Sequence, residues 1–158
     1  MQQLTTKISS SMEALARLIG AHSTLTRELS AQLVEQHGLT LSECEVLLLL
    51  SRAPERAMRR IDLAREVRLS PSGVTRMLDR LEATGLVGKG SCSEDARVTY
   101  AVLTPAGAAK LQEAWPDHVA ATERLLGERF DDEELAALTE LLSRVADPLE
   151  CEPGPSQA

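Results

Sequence analysis

From Ile8 to Leu33 the chain returns to an apolar or adaptable side chain at alternating steps of four and three: Ile8, Met12, Leu15, Ile19, His22, Thr26, Leu29 and Leu33. A helix with this spacing carries a narrow heptad seam along its length, and a seam of that kind needs a facing helix. Leu18 and Leu25 widen it. The rest of the core must be helical too, because Tyr100, Trp115 and Phe130 are the only aromatics in 158 residues. Leu, Ala, Val and Ile have to fill the interior, which favours helix packing over a β-sandwich. The length suits one domain.

Local signals divide the remainder. Gly38 ends the first helix after His37. Thr40 opens a second through a T-x-x-E capping box to Glu43, running to about Ser51, and residues 53–57 turn around Pro54. A short helix, roughly Arg60 to Val67, sets Ile61, Ala64 and Val67 on one face, and Arg68-Leu69 is the following turn. Ser70 is a strong N-cap with Pro71 at the first helical position. The helix it opens carries Val74, Met77, Leu78 and Leu81 on one stripe and stops at Gly85. From Leu86 to Leu103 the period changes. Gly88, Gly90 and Ser91 punctuate, Glu94-Asp95 marks a tight turn, and Val98, Tyr100 and Val102 alternate as a strand, which makes a β-hairpin. Thr104-Pro105 starts a helix that should kink at Pro116 and reach about Gly127. Asp131 or Asp132 caps a last helix with Leu135, Leu138, Leu142 and Val145 inward, and the residues after Pro148 read as a disordered tail.

The order short helix, turn, Ser-capped helix, hairpin is that of a winged helix-turn-helix. Its second helix needs one stripe to dock and another, of small and hydrogen-bonding residues, to read a major groove. Val74, Met77, Leu78 and Leu81 dock, leaving Ser72, Gly73, Thr75, Arg76 and Arg80 outside behind the Ser70 cap. Small leading residues let the helix approach the bases, and an arginine can grip guanine bidentately or meet phosphate. The hairpin would be the wing. Lys89 lies on its first strand, and Arg97 near its tip can reach a minor groove with Asp95 holding it in place.

Charge placement agrees with a polyanionic partner. The formal net charge is −7, yet between Arg52 and Arg97 there are 10 Lys and Arg against 7 Asp and Glu, a local +3, and the remainder holds 7 against 17. A basic middle between acidic arms suits one lobe that meets nucleic acid. Cys44, Cys92 and Cys151 form neither a disulfide framework nor a metal knuckle and suit a reducing cytoplasm. Cys44 shares a face with Leu47 and Leu48, so it reads as a buried, inert thiol. His22, His37 and His118 have no metal-binding spacing. No signal segment opens the chain, and the longest unbroken apolar run, Val46 to Leu50, is too short to span a bilayer. Enzyme motifs fail as well. Gly88-Lys89 lacks the first glycine and the final Ser or Thr of a phosphate loop, and there is no HExxH or GxSxG.

The run RRIDLAREVRLSPSGVTRMLDRLEATGLV, then SEDARVTYAVLTPAGAAKL, resembles the winged helix-turn-helix of the MarR family of bacterial transcriptional regulators. The likeness is close from Leu39 to His118, its specific part being SPSGVTR-x-x-DRLE-x-x-GLV and the D-x-R of the wing at Asp95 and Arg97. It implies a mainly α fold with a small β-hairpin wing, in which a winged helix-turn-helix lobe at residues 39–104 joins a helical dimerisation lobe at 1–37 and 105–146. Residues 147–158 are the tail. It also implies a cytoplasmic homodimer, without cofactor or membrane contact, that binds a pseudo-palindromic double-stranded operator as a repressor and is released by a small-molecule effector. The first wing strand has fewer arginines than is common, and Ala96 stands where a second Arg is frequent, so a weak wing is expected. The competing reading is a helical dimerisation module whose winged helix binds a protein partner and no DNA.

Overall fold

The end of the first helix decides where everything after it can pack. In the computed structural model, which describes residues 9–67, 69–91 and 99–145, helix α1 spans Ser10–His37, from a Ser9 cap to Gly38. Gly38 has φ 68°, a left-handed turn that glycine enters without Cβ strain, and its N–H donates to the Val34 carbonyl at 3.0 Å. Only Leu33 of α1 is buried, while Met12, Leu15, Leu18 and Ile19 of the seam are exposed, Ile19 at 57%. Ile8 lies outside the described residues. The seam therefore enters the core at Leu33, is half-buried at Thr26 and Leu29, and is uncovered from Met12 to His22.

Helix α2 (Leu41–Arg52) starts from the expected capping box. Thr40 Oγ1 accepts the Glu43 N–H at 3.3 Å, and Glu43 Oε2 accepts the Thr40 N–H at 2.8 Å. Its Cys44, Val46, Leu47 and Leu50 are buried together. A 3-10 turn follows at Pro54–Arg56, and then a short strand that the sequence pattern does not announce, β1 (Ala57–Arg59). Helix α3 is Arg60–Glu66 and helix α4 is Pro71–Ala83. The expected face of α3 is off by part of a turn: Leu63, Ala64 and Val67 are buried, whereas Ile61 is 60% exposed. Leu63 lies one residue before Ala64 and four before Val67, and these three fit against α4 better than a stripe begun at Ile61.

Two further strands, β2 (Val87–Ser91) and β3 (Thr99–Leu103), are the arms of the hairpin. The sheet is three-stranded and antiparallel in the order β1-β3-β2, because Ala57, Met58 and Arg59 pair with Val102, Ala101 and Tyr100. The hairpin base is tied to helix α5 (Pro105–Thr122) by one residue. Thr104 Oγ1 accepts the Gly107 N–H at 2.9 Å as the helix cap and donates to the Gly85 carbonyl at 2.7 Å. Gly107 permits this approach, since a Cβ there would stand 2.0 Å from the Leu86 carbonyl oxygen. Gly107→Ala should lower the stability by about 1–3 kcal/mol, the usual cost of overpacking, because the obstacle is backbone. Urea unfolding would measure it, and a shift in midpoint without a change in slope is the expected form.

Helix α5 packs Leu111 and Ala114 on the core and meets the last turn of α1 through His37. The His37 side chain is buried, with Nε2 2.8 Å from Asp117 Oδ2 and Nδ1 3.4 Å from Glu113 Oε1. Hydrogen bonds from Lys110 and His37 hold the Glu113 carboxyl below the usual carboxylate range.

Among the described residues, those up to Ala121 form one compact unit, and those from Thr122 form another. The second contains a π-helical turn at Glu123–Gly127 and helix α6 (Asp132–Ser143), started by a capping box between Asp131 and Glu134. Among its expected inward residues, Leu135 and Leu138 are half-buried, while Leu142 and Val145 are exposed. A lone helix and turn offer little within their own unit to cover them. Residues 147–158, read as a tail, lie outside the described residues. No helix among the described residues is long and apolar enough to cross a membrane.

Candidate nucleic-acid interface

Helix α4 packs its apolar stripe on the core. Val74, Leu78 and Leu81 are buried and Met77 is half-buried, as the stripe predicts. Burying each such aliphatic side chain contributes about 1.5–3 kcal/mol, ample to fix the helix by that face. The opposite side carries Ser72, Thr75, Arg76 and Arg80, all exposed.

The leading end is organised by local bonds. Ser70 Oγ accepts the Gly73 N–H at 3.2 Å, which caps the helix, and lies 3.2 Å from Ser72 Oγ. Gly73 is half-buried under this cap, where an added Cβ would already touch Ser70 Oγ at 3.2 Å. Thr75 Oγ1 donates to the Pro71 carbonyl at 2.9 Å, which leaves its methyl and its acceptor lone pairs for a partner. Arg76 has no hydrogen bond or ion pair with any described residue.

Arg80 is exposed and also paired within the protein. Its Nε donates to Glu43 Oε1 at 2.5 Å and its Nη2 reaches the same oxygen, so its guanidinium is engaged within the lobe. Lys89 is also paired, 3.3 Å from Glu82 Oε2. Glu82 accepts Arg60 Nη2 on its other oxygen, and so joins α3, α4 and β2 in one ionic cluster. None of these pairings shows in the sequence, because Glu43 and Arg80 lie 37 positions apart and Arg60 and Glu82 lie 22 apart. No local pattern couples such residues. Asp95 and Arg97, the expected wing-tip pair, lie outside the described residues, as does Arg68.

The thiol of Cys44 is buried in the core, and burial, with the Glu45 carboxylate nearby, pushes it up from its ordinary value. That environment disfavours the reactive thiolate.

Residues 37–98, the helix-turn-helix and the start of the wing, match the MarR family model. The chain is 30% identical to the transcriptional regulator MhqR of Bacillus subtilis over 112 residues, 71% of this chain and 75% of that protein. The chain belongs to the MarR family of transcriptional regulators. The MarR family regulator Sco3205 of Streptomyces coelicolor, in complex with DNA, matches the fold with a TM-score of 0.82 and 28% identity, covering 95% of this chain and 92% of its own. AbsC, a MarR family regulator of the same organism, matches with a TM-score of 0.81 and 29% identity, covering 90% of this chain and 96% of its own. As a MarR family member the protein is a DNA-binding transcriptional regulator, and the reading in which the winged helix serves only a protein partner falls. The mainly α architecture with its small antiparallel sheet agrees with the fold expected of the family.

Proposed function

We propose that the protein is a repressor that binds an inverted-repeat operator as a homodimer, each copy setting α4 in a major groove. The observation that carries this reading is the row Ser72, Thr75 and Arg76, exposed on a helix whose other face is buried. Ser70 and Gly73 shape its leading end, and Arg76 is the arginine of that row with no partner among the described residues. Lys89, and Arg97 with Asp95, extend the contact along the wing. The lobe at residues 39–104 reads, and the helices at 1–37 and 105–146 supply the dimer contacts. Exposed Met12, Leu15 and Ile19 of α1 are apolar surface that a second copy would cover. The DNA complex of Sco3205 supports the docking mode by likeness. The protein acts in the cytoplasm, catalyses no reaction and uses no cofactor, and a small-molecule effector relieves repression by favouring a different spacing of the two readers.

An operator selected from a random duplex pool, then footprinted, tests the reading. Two readers on a two-fold axis should protect half-sites roughly 10 bp apart, centre to centre, within an imperfect inverted repeat. A single asymmetric half-site would contradict it.

A further inference from the structure

We propose that Glu43 is a specificity-determining residue: it withholds Arg80 from the DNA phosphates and fixes the seating of the reading helix. The proposal rests on α4 being the reader. Glu43 is the buried charged residue among those described, 1% exposed. Its Oε2 accepts the Thr40 N–H at 2.8 Å and the Thr40 hydroxyl at 3.0 Å, and its Oε1 accepts Nε and Nη2 of Arg80. Every lone-pair position of the carboxylate is thus used. A capping box needs only the first of these bonds and forms equally well on a surface. Burying the carboxylate is costly unless it is fully bonded, so the Arg80 bonds must offset a penalty that capping alone would not incur.

The placement of Arg80 gives this arrangement its consequence. The residue stands one turn after Arg76 on the outward side of α4, with 58% of its side chain exposed. An unpaired guanidinium there would add phosphate affinity that is blind to sequence. Paired with Glu43, it instead links the reading helix to the first turn of α2, which begins three residues after Gly38 closes α1. Discrimination is gained in two ways: less unspecific attraction, and one fixed roll of the row that carries Arg76.

Glu43→Gln separates this role from a structural one. Glutamine keeps the cap through its amide oxygen and turns its NH2 towards Arg80, so donor faces donor and the guanidinium moves into solvent. Binding to random duplex should strengthen several-fold, and its salt dependence should steepen by about two counterions per dimer. The ratio of operator to random affinity should fall about tenfold, the scale of one lost base contact. A slope and a ratio both equal to those of the unaltered protein would overturn the proposal. Should Glu43→Gln fail to fold, the double variant Glu43→Gln with Arg80→Gln carries the test. Its salt slope should match the unaltered protein, because Arg80 is not at a phosphate, and a slope shallower by about two would overturn the proposal. Arg76→Ala serves as the control, since unchanged operator affinity in that variant would remove α4 as the reader, and this proposal with it.

Discussion

Arg76→Ala is expected to abolish discrimination between operator and random DNA while leaving the fold intact. The side chain is exposed and is held by no described residue, so its removal opens no cavity and strands no buried charge. A good bidentate contact to guanine is worth about 1–3 kcal/mol, and a two-fold operator presents it twice. The loss should therefore be roughly 2–6 kcal/mol, or about thirtyfold to 10⁴-fold in affinity. Competition gel shifts with selected operator and random duplex would measure it, alongside urea unfolding to confirm an unchanged midpoint. Equal loss on both DNAs would instead make Arg76 a phosphate contact.

The second large effect is expected at the other end of the molecule. Ile19 stands in the middle of the α1 seam and is 57% exposed in the single chain. If a second copy covers it, Ile19→Glu buries an unpaired carboxylate in each copy and weakens the dimer by on the order of several kcal/mol. Operator binding should fall in step, because a lone lobe has no second half-site. Sedimentation at a fixed concentration should show a monomer for Ile19→Glu and a dimer for Ile19→Leu. A dimeric Ile19→Glu would mean that the exposed half of α1 faces solvent in the working protein.

What could be read from the sequence was whatever is decided within about four residues. Thr40 with Glu43, Ser70 with Pro71, Thr104 with Pro105, and the left-handed glycines at 38 and 85 each settle their geometry with near neighbours. The docking stripe of α4 was legible for the same reason, since its period is carried by one helix. Strand β1 was not. Ala57, Met58 and Arg59 are too few to alternate visibly, and they become a strand only because β3 offers an open edge 41 or more positions away. Ile61 misled because a seven-residue helix gives the period barely two turns in which to declare itself. Separation in sequence also hid the pairings of Arg80 with Glu43 and of His37 with Asp117, which tie α4 to α2 and α1 to α5. The exposed row of α4 was legible as a row, but the pairing of one of its arginines was not.

The fastening at His37 has a mechanical consequence. The helix-turn-helix and its hairpin join the flanking helices at two places, Gly38 towards α1 and Thr104 towards α5. At the second, Thr104 and Gly107 lock the base of the wing against the start of the helix. At the first, His37 meets Asp117 and Glu113, and Gln32 donates to the Asp117 carbonyl at 3.3 Å, so the last turns of α1 are bolted to the middle of α5. Both exits therefore belong to one stiff block. The reading helix, the base of the hairpin and the last turns of α1 are therefore expected to move as one piece in any rearrangement of two copies.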